Sequence, residues 1–229
     1  MYSIARFKLF SRDDFRSREE CVCLAQVDHQ IAAFHPGAGG KAYRGTIPTQ
    51  GAPLAIIGAG CLEDMYEFPT RYREKSMPFF FDPGQAIAAL PEVAIKNGFE
   101  GADVVFGNDY EFSMMCQKSA WEEPEMLRHA KTLVITLGKL GSRIVTRSSE
   151  VKVPAVRTAS VVDPTGVGDA YRAGYIKGHL AGLPPEKCAK IASTVAVFCV
   201  EKEGTQEHQF TMQDLKDRYE DGYQEQFPL

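Results

Sequence analysis

From Pro53 onward, short runs rich in Val, Ile and Phe alternate with longer amphipathic stretches, a pattern that predicts repeated β-α units around a mainly parallel sheet. Strands are expected at Leu54–Gly58, Pro78–Asp82, Asp103–Gly107 and Leu133–Leu137. Helices are expected between them at Leu62–Ser76, near Gln85–Leu90 and at Asp109–Lys118. Pro69 is an awkward interior residue of the first, able to split it, because proline removes a backbone donor and crowds the preceding turn. Arg143–Thr146 and Val151–Val153 read as antiparallel strands at one end of the sheet. Asp169–Ala181, Pro185–Val200 and Met212–Tyr223 read as three closing helices, the last placing Met212, Leu215, Tyr219 and Tyr223 on one packing face. Ahead of this region, Cys21–Gln26 and Gln30–His35 flank Val27-Asp28-His29 as a hairpin ending at Pro36-Gly37. The expected class is α/β, with a doubly wound, mainly parallel sheet and helices on both faces.

Composition narrows the function more than the fold. With 44% hydrophobic and 24% charged residues, the 229-residue chain reads as one soluble globular domain over residues 1–229. Lys and Arg number 26 against 30 Asp and Glu, so the formal charge of −4 offers no broad basic field for nucleic acid or an anionic membrane. Small-molecule chemistry is favoured. The six cysteines form no C-x-x-C pair and read as reduced thiols. No apolar run is long enough to span a bilayer, and the N-terminus mixes Arg6, Lys8 and Arg12 with Asp13 and Asp14, so a cytoplasmic location is expected.

The candidate chemistry concentrates in Asp163-Pro164-Thr165-Gly166-Val167-Gly168-Asp169-Ala170-Tyr171-Arg172-Ala173-Gly174, a glycine-spaced turn running into a helix. Backbone N–H groups at such a helix start, with the macrodipole behind them, suit an anion such as a phosphoryl group in transfer. A carboxylate at the mouth of that site would repel phosphate unless a hydroxyl stood between them. Asp169 could therefore take the proton of an attacking hydroxyl while the amides of Gly166, Val167 and Gly168 stabilise charge on the γ-phosphoryl oxygens. On spacing alone, Asp169 reads equally as a cap after a Gly-rich turn. Asn108-Asp109-Tyr110-Glu111, at the end of the apolar run Val104–Gly107, likewise reads either as a ligand-binding strand end or as a capping box.

The DPTGVGDAYRAG segment resembles the second signature of the ribokinase-like (PfkB) sugar and nucleoside kinase family, and is similar to the form found in its bacterial adenosine kinase branch. The resemblance implies a ribokinase-like fold with a partial β lid at about residues 20–36 and an α/β core carrying the nucleotide site at 53–229. It implies Asp169 as catalytic base and Gly166, Val167 and Gly168 as the anion hole, with ATP as phosphoryl donor. Asn108 and Glu111 resemble the family's N-x-x-E, which implies that Glu111 holds Mg²⁺ through water and that Asn108 approaches the phosphates. Thr136, Gly138 and Gly141 resemble its T-x-G nucleotide groove, and Gly204 its adenine and cation loop. A monovalent cation, K⁺, is implied beside Asp163 and the Thr165 carbonyl. The stretch Asp28 to Ala38 is similar to the branch's lid hairpin, with Gln30, Phe34 and Gly37 as acceptor contacts. Asp82, in Asp82-Pro83-Gly84 at a strand end, reads either as a residue facing the cleft or as the start of a turn, which Asp before Pro often is.

The implied acceptor is a nucleoside, adenosine first, phosphorylated at its 5′-hydroxyl; a sugar kinase of the same family is the alternative. The family's opening strand with its acceptor-binding Asp, and its G-G-x-x-N segment, find no counterpart ahead of the hairpin, so the chain is expected to be N-terminally shortened. It would then be a fragment, a kinase that forms a homodimer to cover the gap, or a nucleotide-binding chain without turnover.

Overall fold

Phe79, Phe80 and Phe81 are consecutive and all buried, which a strand permits only when both of its faces are covered. Successive strand side chains point to opposite sides, so Phe79 and Phe81 enter one core cluster and Phe80 another. The computed structural model describes residues 20–26, 29–35, 37–46 and 53–229, with the side chains of residues 20–35 outside that description.

Strands β1 (Glu20–Gln26) and β2 (His29–His35) form the expected antiparallel hairpin, Glu20 opposite His35 and Gln26 opposite His29. A separate six-stranded sheet follows in chain order: β3 (Ala55–Ile57), β4 (Phe79–Phe81), β5 (Val104–Asn108), β6 (Thr132–Thr136), β7 (Ser142–Thr146) and β8 (Glu150–Val153). Neighbours from β3 to β6 are parallel, and β6, β7 and β8 are antiparallel.

Right-handed crossovers that advance in one direction leave their helices on one side. Accordingly α1 (Leu62–Glu74), α2 (Glu92–Phe99), α3 (Asp109–Ser119) and α4 (Glu123–His129) pack Met65, Ile95, Phe112 and Met126 onto the face of Phe79, Phe81, Val105 and Leu133. The other face is covered by chain that returns after β8. There α5 (Val167–Leu180) and α6 (Pro185–Val200) set Tyr171, Tyr175, Ala189 and Ala192 against Phe80, Phe106, Val134 and Ile144. Helix α7 (Met212–Tyr223) adds Leu215 and Tyr219 to Ile191, Val195 and Cys199 of α6. None of the described helices is long and apolar enough to cross a membrane.

Three details depart from expectation. Helix α1 runs unbroken through Pro69, which is buried with Met65 one turn before it; the packed face outweighs one lost hydrogen bond. Helices α2 and α4 were not expected. Asn97-Gly98 weakens the local helix signal of α2, yet Gly98 lies where any side chain would strike the Phe81 ring, so packing selects it. Helix α5 begins at Val167, ahead of the expected Asp169, which places that acid inside the first turn.

Beyond the hairpin, Gly37–Gly40 forms a short 3₁₀ turn. The segment after it is tied to α1: the Tyr43 N–H donates to both Asp64 carboxylate oxygens (2.8 and 3.0 Å), and Arg71 Nη2 donates to the Gly45 carbonyl (2.8 Å).

Candidate active site

The parallel strands end side by side, Phe81 paired with Val105 and Asn108 with Thr136, so their C-terminal residues form one rim. The first turn of α5 is built onto that rim by two loops. Asp163 accepts from the Thr165 N–H (2.8 Å) with one carboxylate oxygen and from the Gly204 N–H (3.0 Å) with the other, joining residues 163–166 to the loop after α6. Burial pushes the Asp163 carboxyl up, but these hydrogen bonds outweigh burial and hold it below the usual carboxylate range. Gly166 is left-handed (φ 82°), and a side chain there would press within 2.9 Å of the Thr205 carbonyl, so only glycine serves.

A glycine N-cap brings no side-chain acceptor, and the turn stays open. The Val167 N–H is directed at the Pro164 carbonyl (3.3 Å), and that of Ala170 at Gly166 (2.9 Å). The N–H groups of Gly166, Gly168 and Asp169 have no acceptor among the described residues. Asp169 itself makes no capping bond. Glu111 behaves otherwise: its Oε2 accepts from the Asn108 N–H and Asn108 Oδ1 accepts from the Glu111 N–H, both at 2.8 Å, a complete capping box on α3. Its Oε1 has no partner among the described residues.

Both acids act on an ion pair that sequence alone half missed. Asp82, at the end of β4, is bound by Arg172 of α5: Nη2 donates to Oδ1 (2.7 Å), and Nε lies against Oδ2 off the line of its N–H. Only 15% of the Arg172 side chain and 10% of that of Asp82 are exposed. The Phe106 ring lies under the guanidinium, 5.8 Å from its centroid. Burial pushes the Asp82 carboxyl up against the pull of Arg172, and Glu111 and Asp169 push it the same way. Burial acts to discharge Arg172, but Asp82, Glu111 and Asp169 together raise its pKa. Two guanidinium nitrogens facing two carboxylate oxygens identify the pair as ionised. Asp82 was a sequence candidate. Arg172 was not, although its position one turn after Gly168 in the same motif was the available signal.

The Thr136 hydroxyl, half-buried, points toward the Gly107 carbonyl at 3.5 Å, too far for a firm bond. Gly138 and Gly141 close a tight turn through the Leu137 N–H to Gly141 carbonyl bond (2.8 Å), and at Gly141 (φ 95°) a side chain would collide with the Val153 carbonyl. Gly204 is the left-handed donor to Asp163. The Thr165 and Thr205 carbonyls both face the Cys199 thiol, at 3.7 and 3.9 Å. Gly37 opens the 3₁₀ turn after β2 with φ 51°. Gln30 and Phe34 fall on β2, and their side chains lie outside the described residues.

The family model of pfkB carbohydrate kinases matches residues 15–211. The chain belongs to that family. Among solved structures it is similar to a Burkholderia thailandensis nucleoside kinase in complex with inosine: 29% identity, TM-score 0.83, covering 91% of this chain and 69% of that one. The Methanocaldococcus jannaschii nucleoside kinase gives 27% identity and a TM-score of 0.80 over 90% of this chain and 70% of that one. Ribokinase from Thermotoga maritima, at 15% identity and a TM-score of 0.72, shares the fold. By sequence, the curated M. jannaschii nucleoside kinase is 32% identical over 140 residues, 61% of this chain and 46% of the relative, and one from Methanothermobacter thermautotrophicus 36% identical over 127 residues, 40% of the relative. These matches thus span less than half of each curated relative.

Proposed function

We propose that this pfkB-family chain transfers the γ-phosphoryl group of ATP to a nucleoside hydroxyl, adenosine 5′-OH first. One observation carries the reading: Asp169 stands uncapped in a helix turn whose Gly166, Gly168 and Asp169 N–H groups lack protein acceptors. In the transfer, Asp169 takes the proton of the acceptor hydroxyl, the O–P bond forms, and the γ-phosphorus–oxygen bond breaks with its electron pair leaving on ADP. The open amides hold charge on the transferring oxygens without reorganising. The choice of a nucleoside follows the related nucleoside kinases and the resemblance of the residue 28–38 stretch to a nucleoside lid, where Gln30, Phe34 and Gly37 are the proposed acceptor contacts.

The residues present suit the expected ions. The Glu111 oxygen left over from the capping box is a hard donor for a water-held Mg²⁺, which would offset phosphate charge, with Asn108 alongside. Thr136, Gly138 and Gly141 are the proposed nucleotide groove, with Gly204 closing it. Asp163 and the Thr165 carbonyl, converging with the Thr205 carbonyl near Cys199, are the proposed monovalent-cation ligands.

The test is Mg-ATP turnover by the chain against adenosine, inosine, cytidine, ribose and fructose 6-phosphate, with Asp169→Asn as control. Nucleoside phosphorylation that disappears in the variant supports the assignment. Turnover that survives Asp169→Asn removes Asp169 as base, and turnover with the sugars alone moves the chain to the carbohydrate kinases.

A further inference from the structure

We propose that Arg172 reads the terminal phosphoryl group of the nucleotide, donating to it from Nη1 alongside the open amides of α5. The proposal rests on the kinase reading. It starts from helix geometry. Arg172 lies one turn after Gly168, and helical side chains lean toward the N-terminus, so its guanidinium folds back beside the first turn instead of leaving the helix. Gly168 keeps an ordinary helical backbone, so φ does not demand glycine there. A Cβ on Gly168 would fall 2.5 Å from Arg172 Nη1, so a side chain there would displace the guanidinium from its place beside the turn.

Asp82 then fixes which edge of the guanidinium is free. It accepts from Nη2 and lies against Nε, Phe106 supports the plane from one side, and Nη1 makes no hydrogen bond among the described residues. A planar fork held along one edge presents its remaining N–H groups in a set direction, which suits an oxyanion. Three carboxylates, of Asp82, Glu111 and Asp169, act on this one guanidinium. A polyphosphate entering such surroundings meets net negative charge, and Arg172 is the cation placed among these acids to receive it. A purely structural Arg172, bolting β4 to α5, would support the fold without distinguishing nucleotides by their last phosphate.

Calorimetric titration with the non-hydrolysable analogue AMP-PNP and with ADP, both in Mg²⁺ buffer, separates these roles. Wild type is compared with Arg172→Met, Arg172→Lys and the double variant Asp82→Asn/Arg172→Met, with circular dichroism reporting the fold. The double variant leaves no buried carboxylate unpaired, so it carries the test if Arg172→Met alone fails to fold. Loss of the charged donor should raise the AMP-PNP Kd about tenfold and the ADP Kd less than about twofold, with Lys recovering part of the difference. Equal losses for both nucleotides, or no loss in a folded double variant, overturn the proposal. If the contrast appears but no acceptor is phosphorylated, the kinase reading fails and the role of Arg172 stands. Wild type that binds neither nucleotide overturns both.

Discussion

Helices α3, α5 and α7 each carry an acid three residues after the N-cap, and they use it in two different ways. In α3, Asn108 and Glu111 exchange bonds of 2.8 Å each. In α7, Thr211 and Asp214 do the same: the Thr211 N–H donates to Asp214 (2.7 Å) and the Asp214 N–H to the Thr211 hydroxyl (3.1 Å). In α5, Gly166 occupies the N-cap with nothing to offer, and Asp169 bonds to no backbone donor of its own turn. A closed box spends the partial positive charge of the helix start on the chain itself; an open one leaves it for a ligand. The acid is thereby released from a structural duty, and its charge acts on the Arg172 guanidinium.

The largest expected effect breaks the comparison at α5. Asp169→Asn should lower kcat by about 10³ while leaving ATP affinity and Tm near wild type, because no hydrogen bond of the fold is lost. A matching fall in Tm would mean that Asp169 supports the fold after all. At α3 the two duties are superimposed and can be separated. Glu111→Ala removes the reciprocal bond and should cost about 1 kcal/mol in urea denaturation. Glu111→Gln keeps an oxygen for the Asn108 N–H, so its stability should stay near wild type while half-maximal activity requires more Mg²⁺. An unchanged Mg²⁺ dependence in Glu111→Gln would confine Glu111 to capping.

These contrasts also mark how far the sequence could be read. Continuous apolar runs such as Val104–Gly107 revealed the parallel strands because both faces of the sheet are buried, and α6 and α7 have the expected bounds, although Met212, expected on the packing face of α7, is exposed at its first turn where the core no longer reaches. The capping ambiguity at Asp169 and Glu111 could not be resolved there, since an open turn and a closed box share one spacing. What resolves it is tertiary: the approach of Thr205 to Gly166 and the left-handed backbone that follows. Arg172 and Asp82 are 90 residues apart, so no local pattern pairs them. Pro69 and α2 show the converse, local signals overruled by burial against the sheet.

At α7 the box should be structural alone. Thr211→Ala removes the acceptor of the Asp214 N–H and should lower Tm by about 3 °C with kcat and KM unchanged, read by thermal scanning and steady-state assay. A change in KM would couple α7 to the cleft, contrary to the division of labour drawn above.

The smallest effect concerns an acid whose two oxygens are both taken by side-chain donors. Glu225, just beyond α7, receives Lys187 Nζ (2.8 Å), Lys190 Nζ (3.2 Å) and the Tyr219 hydroxyl. Burial pushes its carboxyl up, but those donors outweigh burial and bring it from the ordinary 4.5 to about 2. A carboxyl depressed in the folded state contributes stability that is complete above its unfolded pKa and is lost as pH falls through the folded one. Between pH 4.5 and about 2 the wild type should therefore lose stability more steeply than Glu225→Gln, which has no proton to take up there. Urea midpoints measured across that window should converge toward low pH and separate above it, with wild type the more stable. Parallel curves would mean that the two lysines hold α6 to the C-terminal segment without help from the Glu225 charge.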